Sequence, residues 1–340
     1  MGDPCGIGPE TIVKAVADGR AGGLLVVGDV GVLRRAVVQC GLLLPVAVVD
    51  DPDTACRSPQ DLPPGALWVW QPPGLPPGLA ALPMGRVHAD AGRAAARCIE
   101  AAARLAQSGA AAALVTAPVH KEALSAAGVP HPGHTELLAE LAGGVPVRMM
   151  LANAQLRVVL VTIHVALRRA IEQLDTAGVL DTLRITHRAA RGWALGQDGE
   201  GRPRLPRIAV AGLNPHAGEG GLFGDEETRI IAPAIAAARA EGIDAQGPFA
   251  PDTVFMRARH APPGHPGEFD VVVAMTHDHG LIPVKYLGVD EGVNVTLGLP
   301  FVRTSPDHGT AFDIAGSGRA DPASLCAAIA MARALTGAPG

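Results

Sequence analysis

Short apolar runs rich in valine alternate along the chain with longer alanine-rich stretches that have the apolar periodicity of helices. This alternation is typical of βα units around a largely parallel sheet, whose buried strands are nearly continuously apolar. It therefore predicts an α/β fold. The expected strands are residues 24–28, 112–116, 157–162, 208–212 and 271–275, and the expected helices are residues 10–17, 92–107, 136–141, 167–174, 177–191, 225–241 and 322–335.

The length of 340 residues predicts two lobes, because a single small core does not grow to this size. Three stretches rich in proline and glycine are expected to be loops: residues 51–85, 192–207 and 261–268. The first is long for a compact domain, so it is expected to be partly mobile or to carry a short edge strand.

Composition excludes several classes of function. A net charge of −5 gives no basic surface for nucleic acid or anionic membranes, and no apolar run is long enough for a membrane span. No secretory signal is visible at the start. Five cysteines without a CxxC pair indicate reduced thiols (Cys5, Cys40, Cys56, Cys98 and Cys326). We therefore expect a cytoplasmic protein that binds neither nucleic acid nor membrane.

Three of the twelve histidines directly follow predicted strands: His164, His216 and His277. Parallel strands end at one edge of a sheet, where α/β proteins build their sites. Three neutral imidazoles converging there would suit Zn²⁺ or a similar divalent ion and leave positions open for a substrate. The alternative for each is an ordinary hydrogen-bonding histidine at a strand end.

Two other groups could hold an anion. Thr135 begins a predicted helix, whose N–H groups could bind phosphate or carboxylate, with His134 and Lys121 as nearby cations. The alternative is that Thr135 only caps the helix. Lys285, Asn294 and Arg303 form the second group, since an anionic substrate needs an arginine fork or a lysine charge; the alternative is a surface arginine. These groups are His134 and Thr135, and Lys285, Asn294 and Arg303.

Two glycine-containing segments remain. Residues 307–318 combine small residues with Asp313, which could accept hydrogen bonds from a ribose, although the spacing is not GxGxxG and a plain loop is the alternative. Residues 2–10 have the composition of a strand-to-helix turn that lacks its strand, and we expect the natural polypeptide to begin upstream.

Together these segments resemble the 4-hydroxythreonine-4-phosphate dehydrogenase family of pyridoxal phosphate biosynthesis. The resemblance extends through nearly the whole chain. The run DHGTAFDIAG is also similar to the adenosine-binding loop of isocitrate and isopropylmalate dehydrogenases. The main motifs are GDPCGIGPE at 2–10, TAPVHK at 116–121, GHTE at 133–136, GLNPHAGEGGLFG at 212–224, MTHDHGL at 275–281, GVNVTLGLPFVRTS at 292–305 and DHGTAFDIAG at 307–316.

The resemblance implies a two-lobed α/β/α fold like that of isocitrate and isopropylmalate dehydrogenases. Residues 1–125 and 300–340 would form the first lobe, with the cofactor loop. Residues 126–299 would form the second lobe, with the metal ligands and the interface of a homodimer. The active site would lie in the cleft between the lobes, near that interface.

The resemblance also implies a role for individual residues. One divalent metal per subunit (Zn, Mg or Co) would bind His164, His216 and His277. NAD or NADP would bind at His308, Gly309, Thr310 and Asp313. The small phosphorylated substrate would contact His134, Thr135, Lys285, Asn294 and Arg303. The family usually has Tyr and Gln where this chain has Thr276 and His279, which could alter substrate choice.

The implied reaction is oxidation of 4-phosphooxy-L-threonine at its 3-hydroxyl to a β-keto acid, which decarboxylates to 3-amino-2-oxopropyl phosphate. Lys285 is the first candidate for the base and Asp252 the second. The alternatives are a dehydrogenase of 4-phospho-threonate or 4-phospho-erythronate, one of a cyclic dihydrodiol, a metal-dependent hydrolase or aldolase, and a non-catalytic metal- or phosphate-binding module. His134, Thr135 and Arg303 favour a phosphorylated substrate.

Overall fold

The computed structural model describes residues 1–58, 65–131, 133–193, 195, 201–288 and 291–337. The chain forms two compact units, Met1–Pro146 with Leu299–Arg333, and Val147–Gly298 with Ala334–Gly337. The first unit extends to Pro146 rather than to residue 125, because Leu137 and Leu138 pack into one of its hydrophobic clusters. The segment after residue 125 is therefore part of the first unit.

The helices and strands alternate along most of the chain. The helices are α1 Gly8–Ala17, α2 Val30–Gln39, α3 Pro52–Arg57, α4 Ala89–Gln107, α5 Lys121–Ala126, α6 His134–Leu141, α7 Leu167–Glu172, α8 Thr176–Ala190, α9 Ala232–Ala240, α10 Val254–Ala258, α11 His277–Tyr286 and α12 Ala323–Thr336. The strands are β1 Val26–Val27, β2 Val46–Val48, β3 Leu67–Trp70, β4 Ala113–Val115, β5 Arg148–Ala152, β6 Arg157–Leu160, β7 Ile208–Ala211, β8 Ala245–Phe249, β9 His260–Ala261, β10 His265–Pro266, β11 Val271–Ala274, β12 Val293–Leu297 and β13 Val302–Pro306.

The first unit contains a parallel three-stranded sheet in the order β1-β3-β2, and a parallel pair formed by β4 and β13. Helix α4 buries a stripe of alanines between these elements and its neighbour α5. Gly92 of α4 contacts α5 so closely that a Cβ atom would lie 1.9 Å from the Ala123 carbonyl oxygen. Only glycine fits at this helix crossing.

The second unit is built on strands in the order β12-β5-β6-β11-β7-β8. Strands β6, β11, β7 and β8 are parallel, while β5 is antiparallel to both β6 and β12. The central strands are fully buried, as the valine-rich sequence predicts (Val158, Leu160, Val272 and Ala274). The four parallel strands therefore end at one common edge.

All five expected strands and the α/β class are confirmed, with strand bounds shorter by one to three residues. The expected helix 225–241 contains a π-helical turn at Glu227–Ile231 before α9. Among the described residues, no helix is long and apolar enough to span a membrane.

The expected loop at 51–85 was wrong in its described part. It contains α3 and β3, and β3 is the central strand of its sheet rather than an edge strand, because β1 and β2 pair with its two edges. Residues 59–64 of this loop, and 194 and 196–200 of the next, lie outside the described residues. The expected loop 261–268 carries a small hairpin of β9 and β10.

Candidate active site

The three candidate metal ligands follow three adjacent parallel strands of the second unit. His164 follows β6, His277 follows β11 and His216 follows β7, and β11 lies between the other two strands. Neighbouring strands lie about 4.8 Å apart, so the strands before His164 and His216 each lie about 5 Å from β11 and about 10 Å from each other. The three histidine-bearing segments therefore begin at one edge of the sheet.

Two of these imidazoles are paired. The ring centroids of His164 and His277 lie 5.5 Å apart, with the planes tilted by 49°. Two imidazoles on one tetrahedral Zn²⁺, each with a Zn–N bond of about 2.0 Å, place their centroids about 5 Å apart. Nδ1 of His277 lies 2.8 Å from Asp278 Oδ1, a carboxylate contact that would orient Nε2 for a metal. The pair therefore fits a divalent ion.

His216 lies in an unusual turn. Residues His216 to Gly220 all have left-handed backbone conformations, with φ of 54°, 52°, 79°, 43° and 67°. Left-handed backbone costs on the order of 1 kcal/mol at each non-glycine residue, so the surrounding structure must hold this turn. The His216 ring packs on Phe223, with centroids 6.1 Å apart. Across the described part of the chain, no three His, Cys, Asp or Glu side chains are arranged as a complete metal site.

Glu227 holds the start of this turn. Its buried carboxylate accepts hydrogen bonds from the Leu213 and Asn214 N–H groups at 2.7 and 2.8 Å, and from Asn214 Nδ2 at 3.0 Å. Burial by itself would raise the pKa of Glu227, but these hydrogen bonds lower it below its usual value. An ionised carboxylate therefore fixes the segment that carries His216.

The two candidate bases occupy different positions in the same unit. Asp252 is exposed and follows β8, so it lies at the same sheet edge as the histidines. Lys285 lies in the last turn of α11, which begins at His277; eight residues of helix rise about 12 Å. Asn294 is half-buried on β12. The positions leave both bases as candidates.

Arg303 forms the centre of a polar site in the first unit. It lies on β13 and is only 5% exposed, so the alternative of a surface arginine was wrong. Its Nη2 and Nε donate to Thr116 Oγ1 at 2.6 and 3.2 Å. Burial lowers the pKa of Arg303 to about 10, which leaves the guanidinium charged at neutral pH.

His134 and Thr135 begin α6 in the same unit. The residue that caps this helix is Gly133, and no side chain caps it, so the alternative role of Thr135 as a cap was wrong. Nε2 of His134 is buried and has no hydrogen-bond partner within the described ranges. Burial, followed by the positive charge of Arg303, lowers the pKa of His134 to about 3. The imidazole is therefore neutral, and Arg303 supplies the charge.

The candidate cofactor loop is anchored to the N-terminal turn. The Thr310 carbonyl accepts a hydrogen bond from Ile7 N–H at 3.0 Å, and a Cβ on Gly6 would lie 2.9 Å from Thr310 Cβ. Thr310 is buried, so its side chain packs against the turn. Gly309 and Asp313 are exposed, and Asp313 is therefore the accessible acceptor for a ribose. His308 contacts the Gly309 carbonyl through Nδ1 at 3.0 Å.

Helix α1 and one aromatic contact hold the rest of this loop. The Glu10 carboxylate accepts from Gly316 N–H, and Lys14 Nζ donates to the carbonyls of Gly318 and Ala320 at 2.6 and 2.7 Å. The rings of His120 and Phe312 stack at 4.5 Å with planes 11° apart. These contacts fix the loop and leave Gly309 and Asp313 exposed on it.

Sequence reasoning missed two supporting residues. Thr116 lies in the TAPVHK motif but was not recognised as the partner of Arg303. Glu227 had no signal besides its place in a run of three acidic residues after the GLNPHAGEGGLFG motif. Their roles depend on contacts between distant parts of the chain.

Comparison with known proteins gives one consistent family. Residues 21–332 match the family described as "Pyridoxal phosphate biosynthetic protein PdxA". A 4-hydroxythreonine-4-phosphate dehydrogenase of Beijerinckia indica is 53% identical over 96% of this chain and 90% of its own length. A D-threonate 4-phosphate dehydrogenase of Salmonella typhimurium is 45% identical over 98% of this chain and 97% of its own. A solved 4-hydroxythreonine-4-phosphate dehydrogenase of Klebsiella pneumoniae superposes with a TM-score of 0.87, at 45% identity, over 99% of this chain and 96% of its own.

Proposed function

The chain belongs to the PdxA family and is a dehydrogenase, and on this premise we propose that it oxidises a secondary alcohol on a small 4-phosphorylated hydroxy acid. The observation that supports this substrate class best is the enclosed Arg303 guanidinium beside His134 Nε2. A buried fixed cation and the N-terminus of α6 favour a dianionic phosphate over an unphosphorylated substrate such as a cyclic dihydrodiol.

Two substrates are the main candidates. The first is 4-phosphooxy-L-threonine, because the relative at 53% identity is named for it. Oxidation at its 3-hydroxyl gives a β-keto acid, which would lose CO₂ to form 3-amino-2-oxopropyl phosphate. The second is D-threonate 4-phosphate, because a relative at 45% identity over nearly the same length acts on it by name. A hydrolase or aldolase is not supported, since these relatives are dehydrogenases.

The histidines at the sheet edge would hold one divalent ion, with Zn, Mg and Co as candidates. When bound, the ion lowers the pKa of the substrate hydroxyl and NAD or NADP accepts the hydride. The ligands would be His164, His216 and His277, and the cofactor would contact His308, Gly309, Thr310 and Asp313. The fit of His164 and His277 to a shared ion is the geometric support for this part.

The other residues bind substrate and move one proton. Arg303, His134 and Thr135 would hold the phosphate, and Asn294 would contact the remainder of the acid. Lys285 or Asp252 would take the hydroxyl proton. Asp252 has the advantage of the common sheet edge, while Lys285 has a long side chain on the helix that begins at His277. Ionised Glu227 would keep His216 in position.

A homodimer is the expected assembly. Large apolar side chains are exposed beside each metal-ligand segment: Val165 and Leu167 after His164, Leu222 after His216, and Ile282 and Tyr286 on α11. Tyr286 is 91% exposed, which is costly for a large side chain unless a partner covers it. This surface supports an interface next to the sheet edge.

The test is an assay of nicotinamide reduction with purified protein and divalent metal. We expect activity with 4-phosphooxy-L-threonine or D-threonate 4-phosphate, dependence on metal, and loss of activity after chelation. A cyclic dihydrodiol serves as the unphosphorylated comparison. Faster turnover of the dihydrodiol, or no turnover of either phosphorylated acid, would contradict the proposal.

A further inference from the structure

A cavity of about 240 Å³ lies in the second unit, at the opposite ends of the strands that lead to the histidines. Arg157 is the first residue of β6, Arg207 directly precedes β7, and Asp270 directly precedes β11. All three line the cavity, together with Arg204 and His260. The cavity is therefore at the amino edge of the parallel strands, whereas the candidate metal ligands follow their carboxyl ends.

One carboxylate among the described lining residues is shared by two arginines. Asp270 accepts from Arg204 Nη1 and Nη2 at 2.8 and 2.6 Å, and from Arg207 N–H at 2.7 Å. Burial by itself would raise the pKa of Asp270, but its hydrogen bonds with Arg204 and Arg207 lower it. Asp270, Arg204 and Arg207 therefore carry one negative and two positive charges between them.

Arg157 adds a third positive charge that this carboxylate does not bind. Its Nε is buried and has no hydrogen-bond partner in the described ranges, and its guanidinium lies 5.3 Å from the centroid of the Trp193 ring. Burial lowers the pKa of Arg157. Leaving a buried charged donor without a partner is costly. The Arg157 Nε–H group is therefore a candidate donor to an anionic ligand in the cavity.

We propose that the cavity binds the phosphoryl group of a small phosphate monoester. Among the described lining residues, three guanidinium groups and one carboxylate leave a net charge of about +2, which matches the −1.5 to −2 of a phosphate monoester at neutral pH. Arginine forks also match the oxygen geometry of phosphate. The volume is below the roughly 300–1,000 Å³ of drug-sized sites, which suits a compact metabolite.

This site is distinct from the proposed substrate site. None of the described residues that line the cavity is among the residues proposed to contact the substrate, the cofactor or the metal. Strand β6 spans about 10 Å from Arg157 to Leu160, at the end of the strand that leads to His164. A phosphate at Arg157 would thus bind without contacting the candidate metal ligands.

The test uses Trp193 as a local probe. The protein is labelled with 5-fluorotryptophan, and its fluorine NMR resonances are followed during titration with glycerol 3-phosphate; a Trp193→Phe variant assigns the signal. We expect a saturable shift of the Trp193 resonance. Inorganic phosphate should bind more weakly, because it leaves the organic part of the cavity unfilled, and chloride at equal ionic strength should give no saturable shift.

Variants locate the binding. Arg157→Gln should weaken glycerol 3-phosphate binding about tenfold or more, and Arg157→Lys should have an intermediate effect because it keeps the charge without the fork. Arg257→Gln is the matched control, since Arg257 is a cation of the same unit that pairs with Glu268 and does not line the cavity. Its affinity should stay within about twofold.

The dispersion of the fluorine signals reports whether each variant is folded, and Arg157→Lys provides the test if Arg157→Gln is not. The proposal would be overturned if glycerol 3-phosphate did not shift the Trp193 resonance. It would also be overturned if folded Arg157 variants bound glycerol 3-phosphate as tightly as wild type does, or if chloride shifted the resonance equally. Equal affinity for inorganic phosphate and glycerol 3-phosphate would overturn the assignment to a monoester.

Discussion

At the scale of single residues, the proposed site for the substrate phosphate contains one charged side chain, Arg303, and one neutral side chain, His134. Arg303 is enclosed yet still protonated at neutral pH, since burial lowers its pKa only to about 10. His134 beside it is neutral, because burial and Arg303 lower its pKa to about 3. A phosphate would therefore meet one permanent cation and one imidazole whose protonation it would promote.

Replacing His134 should change how stability depends on pH. The folded pKa of His134 is about 3 and the usual value is 6.5, so the unfolded chain binds the extra proton first as the pH falls. The contribution of neutral His134 to the free energy of unfolding is fully present above about pH 6.5 and is lost as the pH falls towards 3. At pH 5.5 the loss is about 1 kcal/mol. Urea denaturation of wild type and His134→Gln at pH 7.5 and about 5.5 measures this.

The comparison with wild type isolates the effect of His134. His134→Gln should lose less stability on acidification than wild type does. An identical loss in the wild type and His134→Gln proteins would show that His134 titrates normally.

At the scale of elements, the turn after β7 depends on one carboxylate. Glu227→Ala would remove the carboxylate that accepts three hydrogen bonds, which Leu213 and Asn214 donate. It would thereby release a left-handed turn whose backbone conformation is costly on its own. We expect the affinity for Co²⁺ to fall about tenfold or more, as is usual when outer-shell support is lost. Absorption titration with Co²⁺ measures both affinity and ligand geometry.

Glu227→Gln and Glu226→Ala make the comparison specific. Glutamine keeps one acceptor oxygen and should partly restore the Co²⁺ spectrum, whereas Glu226, which accepts only from Asn214 Nδ2 in the contacts seen here, should matter less. A Glu227→Ala protein with the wild-type Co²⁺ spectrum and affinity would contradict this role.

The α4–α5 crossing gives a prediction about stability alone. A Cβ at Gly92 would lie 1.9 Å from the Ala123 carbonyl, so Gly92→Ala must push the two helices apart. We expect a loss of about 3 kcal/mol in the free energy of unfolding. Gly109→Ala, which has open space around it but a left-handed φ of 73°, should cost only about 1 kcal/mol. Equal, small effects in urea denaturation would disprove the close crossing.

Elements with strong periodicity could be predicted, and elements set by distant contacts could not. The valine runs of β6, β7 and β11 identify buried parallel strands from sequence alone. Strand β3 was missed because proline and glycine surround its four residues, and only pairing with β1 and β2 defines it. Helix α11 was missed because Pro283 lies inside it.

At the scale of the whole molecule, the strand order could be used to judge the predicted site, whereas the contacts that support it could not be predicted. The order β6-β11-β7 places the three histidine-bearing segments at one edge of the sheet, and the rings of His164 and His277 lie 5.5 Å apart. Thr116 and Glu227 were not anticipated, because a hydroxyl under an arginine or a carboxylate under a turn has no local sequence pattern. The three-histidine centre, the base and the dimer stay predictions.

The most direct test of the account is the metal content and turnover of His277→Ala beside those of His265→Ala, an exposed histidine of the same unit. Wild type and His265→Ala should bind one divalent ion per chain and reduce nicotinamide with a 4-phosphorylated hydroxy acid. His277→Ala should lose the ion and the turnover together. A folded His277→Ala protein that keeps both would contradict the central claim.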